Sequence, residues 1–353
     1  TAMRASRWGI PLATAAMICL GLFVVLQSKQ EKPILTVEIA EGAEFREDNE
    51  LVTLKSGDRL RPGTLFIESP SGAAELRFRD GTLVTLTGDS EVDFAMTSRG
   101  KVLRSRSGRL TANVAPQPDG KPMRILTPTA EVEVMGTILS LDTASDATHL
   151  TVAEGLVRLR RLADGMAVEV PAQHQSLATL ISSSDLSIQK AEELQDKWTM
   201  RPQDVTKARK FDGRGSETIY GSVPYVAGRR PDGTKIVRSG ISFNGNLARM
   251  SPESQIRVRF RSEFGPTLFL STVRKNGSFG GNFEYNIHRD EASPDSQLWQ
   301  EVVVPIGKFN VVRRMAHQGF ELEKNVLVKV LVSVPEHLDF ELAGISVETK
   351  ERE

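Results

Sequence analysis

From Ile34 to Leu177 apolar and polar residues alternate in short runs, and glycine punctuates them at positions 57, 63, 72, 81, 88, 100 and 108. Alternation with a period of two marks half-buried strands. The strand-like pieces are Ala74-Leu76-Phe78, Val84-Leu86, Val92-Phe94 and the runs around Val102 and Leu110. Asp80-Gly81 signals a tight hairpin with positive φ at both central positions. Asp119-Gly120, framed by Pro116, Pro118 and Pro122, marks a loop. One stretch breaks phase: LTPTAEVEVMGTILSLD, Leu126 to Asp142. Its apolar positions are Ala130, Val132 and Val134 before Gly136-Thr137, then Leu139 and Leu141 after it. A glycine there permits a bulge or tight corner, so that Val132 and Val134 face one layer while the leucines are re-aimed.

The pattern then changes. Ser184 or Asp185 can cap a helix, Leu186, Ile188, Ala191, Leu194 and Trp198 approximate helical spacing, and Pro202 stops it. A linker helix is expected over 184–202. Beyond Phe211 longer β runs return: Ile256-Val258-Phe260 alternates with Arg257, Arg259 and Arg261, and Asn276-Gly277 and Gly280-Gly281 supply turns. These fit a second β-sandwich of jelly-roll type over 205–353.

At the start, Gly9 to Leu26 runs eighteen residues without a charge, roughly 27 Å of helix and close to a bilayer core. A transmembrane anchor is expected at 9–28, with a short cytoplasmic segment at 1–8. Leu26-Gln27-Ser28-Lys29 offers no small-x-small cleavage site; a cleaved signal peptide and a buried soluble helix are the competing readings. The chain begins with Thr1, which leaves room for residues ahead of it. The expected class is therefore all-β: a transmembrane helix, a β-strand roll or sandwich over 34–178, a linker helix and a C-terminal sandwich.

Composition narrows the chemistry. Lys plus Arg and Asp plus Glu both number 45, for zero net charge, so nothing global draws the chain to nucleic acid. The single cysteine, Cys19, lies in the apolar segment and excludes an internal disulfide or a cysteine zinc site. The five histidines are scattered. His288-Arg289-Asp290 lacks the companion motifs of a kinase. Asp89, Glu91 and Asp93 share a strand face, which suits either a hard cation or the wet face of an edge strand; the second is the reading adopted. No catalytic residue, metal site or cofactor is expected. Phe279, Phe283, Tyr285 and Trp299 are candidate glycan or ligand contacts, with core packing as the competing reading.

Several motifs in order carry a resemblance: LKSGDRLRPGTLF, SGAAELRFRDGTLVTLTGDSEVDF, VLRSRSGRLTANV, TPTAEVEVMGTILSLD, HLTVAEGLVRL and MAVEVPAQHQ. Together, over about Val52 to Gln175, they resemble the FecR-type domain of the iron-dicitrate transport regulator family. Gly81, Thr127, Pro128, Gly136, Thr137, Glu154 and Gly155 match its signature positions, in a structural role. The resemblance implies a regulator and not an enzyme. It also implies a single-pass protein of the bacterial inner membrane, with the bulk of the chain periplasmic and a sigma factor or outer-membrane receptor as partner. Here only about eight residues precede the apolar segment, and the far end is β-rich, unlike the family's transducers. More weakly, LWQEVVVPIGKF and LDFELAGISVE resemble carbohydrate-binding-like or galactose-binding-like jelly rolls. The expected function is membrane-anchored signal relay or ligand and partner recognition, linked to sigma-factor regulation. The alternative is a glycan-binding or glycan-acting envelope protein.

Overall fold

The computed structural model describes residues 32–349, apart from 48–49, 182–184, 201–210, 213–218, 222, 231, 263, 289–297, 313–318, 323–324 and 336–339. Its first part is a 16-stranded sheet folded over one core. The principal strands are β1 (Leu35–Glu41), β2 (Gly63–Ile67), β3 (Ala73–Phe78), β4 (Leu83–Thr97), β5 (Gly100–Asn113), β6 (Met123–Leu126), β7 (Ala130–Val134), β8 (Ile138–Thr143), β9 (Ala147–Glu154), β10 (Leu156–Arg161), β11 (Ala167–Pro171) and β12 (His174–Thr179).

The long hairpin β4–β5 organises this sheet. Its register shifts between Thr87 and Glu91, where Asp89 takes φ 64° opposite Gly108 at φ 90°. A Cβ on Gly108 would lie 2.7 Å from Ser90 Cα and 2.8 Å from Asp89 O, so only glycine fits this bend. Beyond the bend the hairpin's neighbours change. Leu83–Thr87 pairs with β3 and Arg109–Asn113 with β8, whereas Ser90–Phe94 pairs with β2 and Val102–Arg104 with β6. The two halves thus belong to opposing layers, and Phe78 meets Phe94 across the core with ring centroids 6.4 Å apart.

This layering explains the phase change at Gly136-Thr137. β7 pairs with β6 and β10, whereas β8 pairs with β5 and β9. The chain turns a corner from one layer into the other, so Val132, Val134, Leu139 and Leu141 all enter the same core from opposite sides.

The second part contains two 6-stranded sheets. Its long strands are β13 (Lys235–Arg249), β14 (Ser254–Arg261), β15 (Thr267–Val273), β16 (Phe279–Asn286), β17 (Gln300–Pro305), β18 (Val326–Pro335) and β19 (Glu341–Thr349). One sheet runs Val223–Arg229, β13, β18, β15, β16, Asn310–Val311; the other runs Phe211–Asp212, Ile219–Gly221, β19, β14, β17, with Trp198–Thr199 as a sixth strand also paired to β19. Phe243, Leu270 and Val330 of the first share a buried core with Ile256, Val258 and Ile345 of the second, which makes an antiparallel sandwich.

Three expectations are corrected. Residues 185–200 form no helix; they carry the two-residue strands Gln189–Lys190 and Trp198–Thr199. Leu186 is buried in the first core, while Trp198 is buried in the second, paired with Val347 and edge-on to Phe243 at 5.6 Å. A segment that contributes side chains to two cores must run extended between them, and Ile188, expected on a helix face, is exposed. Second, the anchor at 9–28 and the segment 1–8 lie outside the described residues, and among those described no helix is long and apolar enough to cross a membrane. The expectation of a single-pass inner-membrane protein with its bulk periplasmic is corrected to that extent: the described residues supply no such helix. The described residues are built mainly into strands, and they offer no apolar helix of the roughly 20 residues that spanning by a helix requires. Third, the Asp80-Gly81 hairpin forms, but only Gly81 has positive φ, at 88°. Gly81 N–H donates to Phe78 O and Phe78 N–H to Thr82 O, at 3.0 and 2.9 Å, closing a three-residue loop.

Candidate functional site: the interface and cleft between the two β units

Alternation gives the first sheet a second face, opposite the core. On it a polar row crosses five strands: Glu75 on β3 is opposite Thr85 on β4, then Thr111 on β5, Ser140 on β8 and Thr151 on β9. The adjoining row is Thr87, Arg109, Asp142 and His149. Residues of this kind normally face water. Here Glu75, Thr85, Thr87, Arg109, Thr111 and Ser140 are all buried, because the second sandwich lies on them.

The contact is polar and specific. Phe279 N–H donates to Glu75 Oε2 at 2.6 Å, and the Thr85 hydroxyl donates to Gly277 O at 3.1 Å. Lys329, only 1% exposed, donates from Nζ to Pro70 O at 3.0 Å and Gly88 O at 3.2 Å, and stands 3.6 Å from the Asp89 carboxylate. Asn282 Nδ2 donates to Ser71 O at 2.7 Å and Asn113 Nδ2 to Asn276 O at 3.1 Å. Arg109 reaches Asp142 at 2.6 Å and also the side chain of Asn246. Removing buried charges from water is costly unless they are paired, and here each buried charge has its partner on the other unit or on a neighbouring strand. Such an interface fixes orientation more than it adds net stability.

Where the Asn276-Gly277 turn ends, the cover stops and a cleft of about 570 Å³ opens, within the usual range for small-molecule sites. The polar row continues as its floor, in Thr111, Ser140 and Thr151; Arg109 closes one end. The second sandwich supplies Arg249, Arg274 and Lys275, and the connector supplies Lys190, Glu192 and Glu193. A Cβ on Gly277 would come within 3.1 Å of Thr111 Cγ2, so this turn approaches the sheet as closely as glycine allows.

The signature residues fall in three places in the first unit. Gly155, at φ 86°, packs on the Gly136-Thr137 corner: a Cβ there would lie 2.5 Å from Thr137 Cγ2 and 2.9 Å from Gly136 O. Glu154 is exposed and lines the cleft. Thr127 Oγ1 accepts from Ala130 N–H at 2.9 Å and lies 2.7 Å from the buried Thr148 hydroxyl, while Pro128 is exposed. Gly81 closes its loop beside Asp80. Burial alone would raise the Asp80 pKa, but hydrogen bonds from Lys101, Gln117 and Thr82 outweigh it and hold the carboxyl below its ordinary value. Burial also pushes the Tyr225 phenol up, against its contact with Ser333.

The four aromatics do not gather into one platform. Phe279 and Phe283 are buried, Phe279 edge-on to Phe320 at 5.4 Å. Tyr285 is half-buried against Phe309, and half-buried Trp299 lies under Arg259 and Arg261. The acidic row divides likewise: Glu91 and Asp93 pair with Arg106, while Asp89 faces Lys329. Among the described residues no group of three His, Cys, Asp or Glu side chains is placed to hold a metal. Sequence reasoning missed Glu75 and Lys329. Lys329 left a signal, as the single charge in VLVKVLVSV.

The fold and cleft define a two-unit all-β protein with a shared polar interface. Its first unit carries a FecR domain: the family model described as FecR protein matches residues 67–158, the stretch that supplies Glu75, Asp89, Arg109 and the cleft floor. No curated protein matches the chain. Among solved structures, a putative anti-sigma factor from Parabacteroides distasonis is similar at 16% identity and TM-score 0.33, over 36% of this chain and 60% of its own. The chain thus spans less than two thirds of that structure. The family 11 carbohydrate-binding module of a Clostridium thermocellum cellulosomal cellulase is similar at 14% identity and TM-score 0.29, over 44% of this chain and 88% of its own. The C-terminal family 6 module of a Zobellia galactanivorans laminarinase is similar at 14% identity and TM-score 0.23, over 44% of this chain and 99% of its own.

Proposed function

We propose that the chain is a regulatory binding protein without catalytic activity, in which a FecR unit near 34–178 relays a signal and a sandwich near 205–353 is a fixed part of the receiver. The regulated partner in this reading is a sigma factor. One observation carries it: the segment that matches the FecR family is the one the second sandwich grips, through Glu75, Asp89 and Arg109. A unit held through buried charges keeps one orientation, and a displacement of either sandwich is then passed to the other.

The test is co-purification of the full chain with the sigma factors of its source cell, together with a transcription reporter for any factor retained. The reading expects association and a reporter output that changes in Lys329→Met. No association, together with binding of a soluble glycan that is lost in Trp299→Ala, would replace it with the carbohydrate reading.

A further inference from the structure

The floor of the cleft is chemically unfinished. Thr111 and Ser140 are 6% and 8% exposed, yet neither hydroxyl has a hydrogen-bond partner among the described residues, and Thr151 beside them has none either. Arg109 is 4% exposed and its Nε is buried without a partner. Hydroxyls that reach a cavity without a protein partner are free to complete the hydrogen bonds of a ligand there. In register, Thr111, Ser140 and Thr151 occupy adjacent strands, with about 5 Å between neighbours and so about 10 Å along the row.

The surrounding charge decides what fits. The polar groups of the floor are the hydroxyls and the Arg109 guanidinium, which also holds Asp142 at 2.6 Å, and Ile138, Val273 and Val326 add apolar lining beside them. The wall from the second sandwich carries Arg249, Arg274 and Lys275, which with Lys190 set four cations against the three carboxylates Glu154, Glu192 and Glu193, all seven of them exposed. The lining contains no aromatic ring, so a sugar face would find nothing to stack on. Arginine and hydroxyl donors in a partly dry cleft are the chemistry of oxyanion recognition.

We propose that this cleft binds a small organic anion, carboxylated or phosphorylated, whose oxyanion lies against Arg109 and the hydroxyl row while Arg249 and Lys275 hold its outer end. The ligand bridges both units, since the floor belongs to one and the cationic wall to the other. The proposal rests on the cleft alone: a chain that binds the anion but no sigma factor loses only the signalling reading.

Calorimetric titration of the full chain with succinate, glucose 6-phosphate and inorganic phosphate tests it. The expected result is that succinate or glucose 6-phosphate binds more tightly than about 1 mM, and which of the two does so identifies the source of the oxyanion. Affinity should fall about tenfold in Arg249→Gln and in the Thr111→Val, Ser140→Ala double variant, and stay unchanged in the surface control Arg104→Gln. Arg249 is exposed, so its variant carries the test even if the double variant loses its fold. Absence of binding by both organic anions overturns the proposal, and so does binding that Arg249→Gln leaves intact.

Discussion

Lys329 and Asp89, 240 positions apart in sequence, face each other across the two β units with Nζ 3.6 Å from the carboxylate. Neither is where its local pattern would put it. Lys329 interrupts an apolar strand and is 1% exposed, and Asp89 takes a left-handed φ of 64° inside a strand. The bend in β4 aims Asp89 outward, and the second sandwich brings the ammonium to it and to two bare carbonyls.

Removing the ammonium takes a cation from beside that carboxylate and a donor from the carbonyls of Pro70 and Gly88. Lys329→Met should cost about 3–5 kcal/mol, read as a lowered denaturant midpoint. A change below about 1 kcal/mol would mean that solvent already reaches the site.

Glu75 holds the Phe279 amide at 2.6 Å. Glu75→Gln preserves shape but removes the charge from a charge-assisted bond, and should cost about 1–2 kcal/mol. Glu75→Ala leaves the Phe279 N–H unsatisfied and should cost more. Hydrogen exchange at the Phe279 amide is the local readout: protection should fall in the order wild type, Gln, Ala.

Gly155 and Thr137 are predicted to be energetically coupled. Gly155→Ala places a methyl 2.5 Å from Thr137 Cγ2 at a backbone φ of 86°, and should destabilise by about 1–3 kcal/mol. Thr137→Ser removes the clashing methyl. A double-mutant cycle should show the pair less harmful than the sum of the two single changes, while simple additivity would contradict the packing.

Asp80 supplies a pH dependence. Its folded pKa lies below the ordinary 3.8, so the stability it contributes is fully present above about pH 4 and is lost as pH falls through the folded value. Asp80→Asn leaves Lys101, 9% exposed, without the carboxylate 2.6 Å away. The variant should be less stable at pH 7, and the gap to wild type should narrow below pH 3.8. A gap that stays constant through that range would remove Asp80 as its source.

The strands of the first unit were legible because the same residues that alternate in sequence are the ones buried: Leu76, Leu86, Leu110 and Leu141 are each 0% exposed. The corner at Gly136-Thr137 was legible as well, since a glycine with a phase change on either side has few other uses. The connector misled, because Leu186 and Trp198 happen to be spaced for a helix while serving two different cores. Of the four aromatics, Phe279 and Phe283 are buried, in line with the packing reading, and Phe320 packs against Phe279.

By itself, then, the sequence determined that this chain is built from strands, which face of each strand meets the core, and which segment is of FecR type. Tertiary structure alone decided the fate of the other face. Alternation states that Glu75, Thr85, Thr111, Ser140 and Thr151 point away from the core, and it cannot say whether water, a second domain or a ligand meets them. That depends on contacts between residues some 200 positions apart, such as Glu75 with Phe279, and no local pattern encodes them. The same polar row is sealed by the second sandwich at one end and left open as a cleft at the other, because the Asn276-Gly277 turn stops where it does.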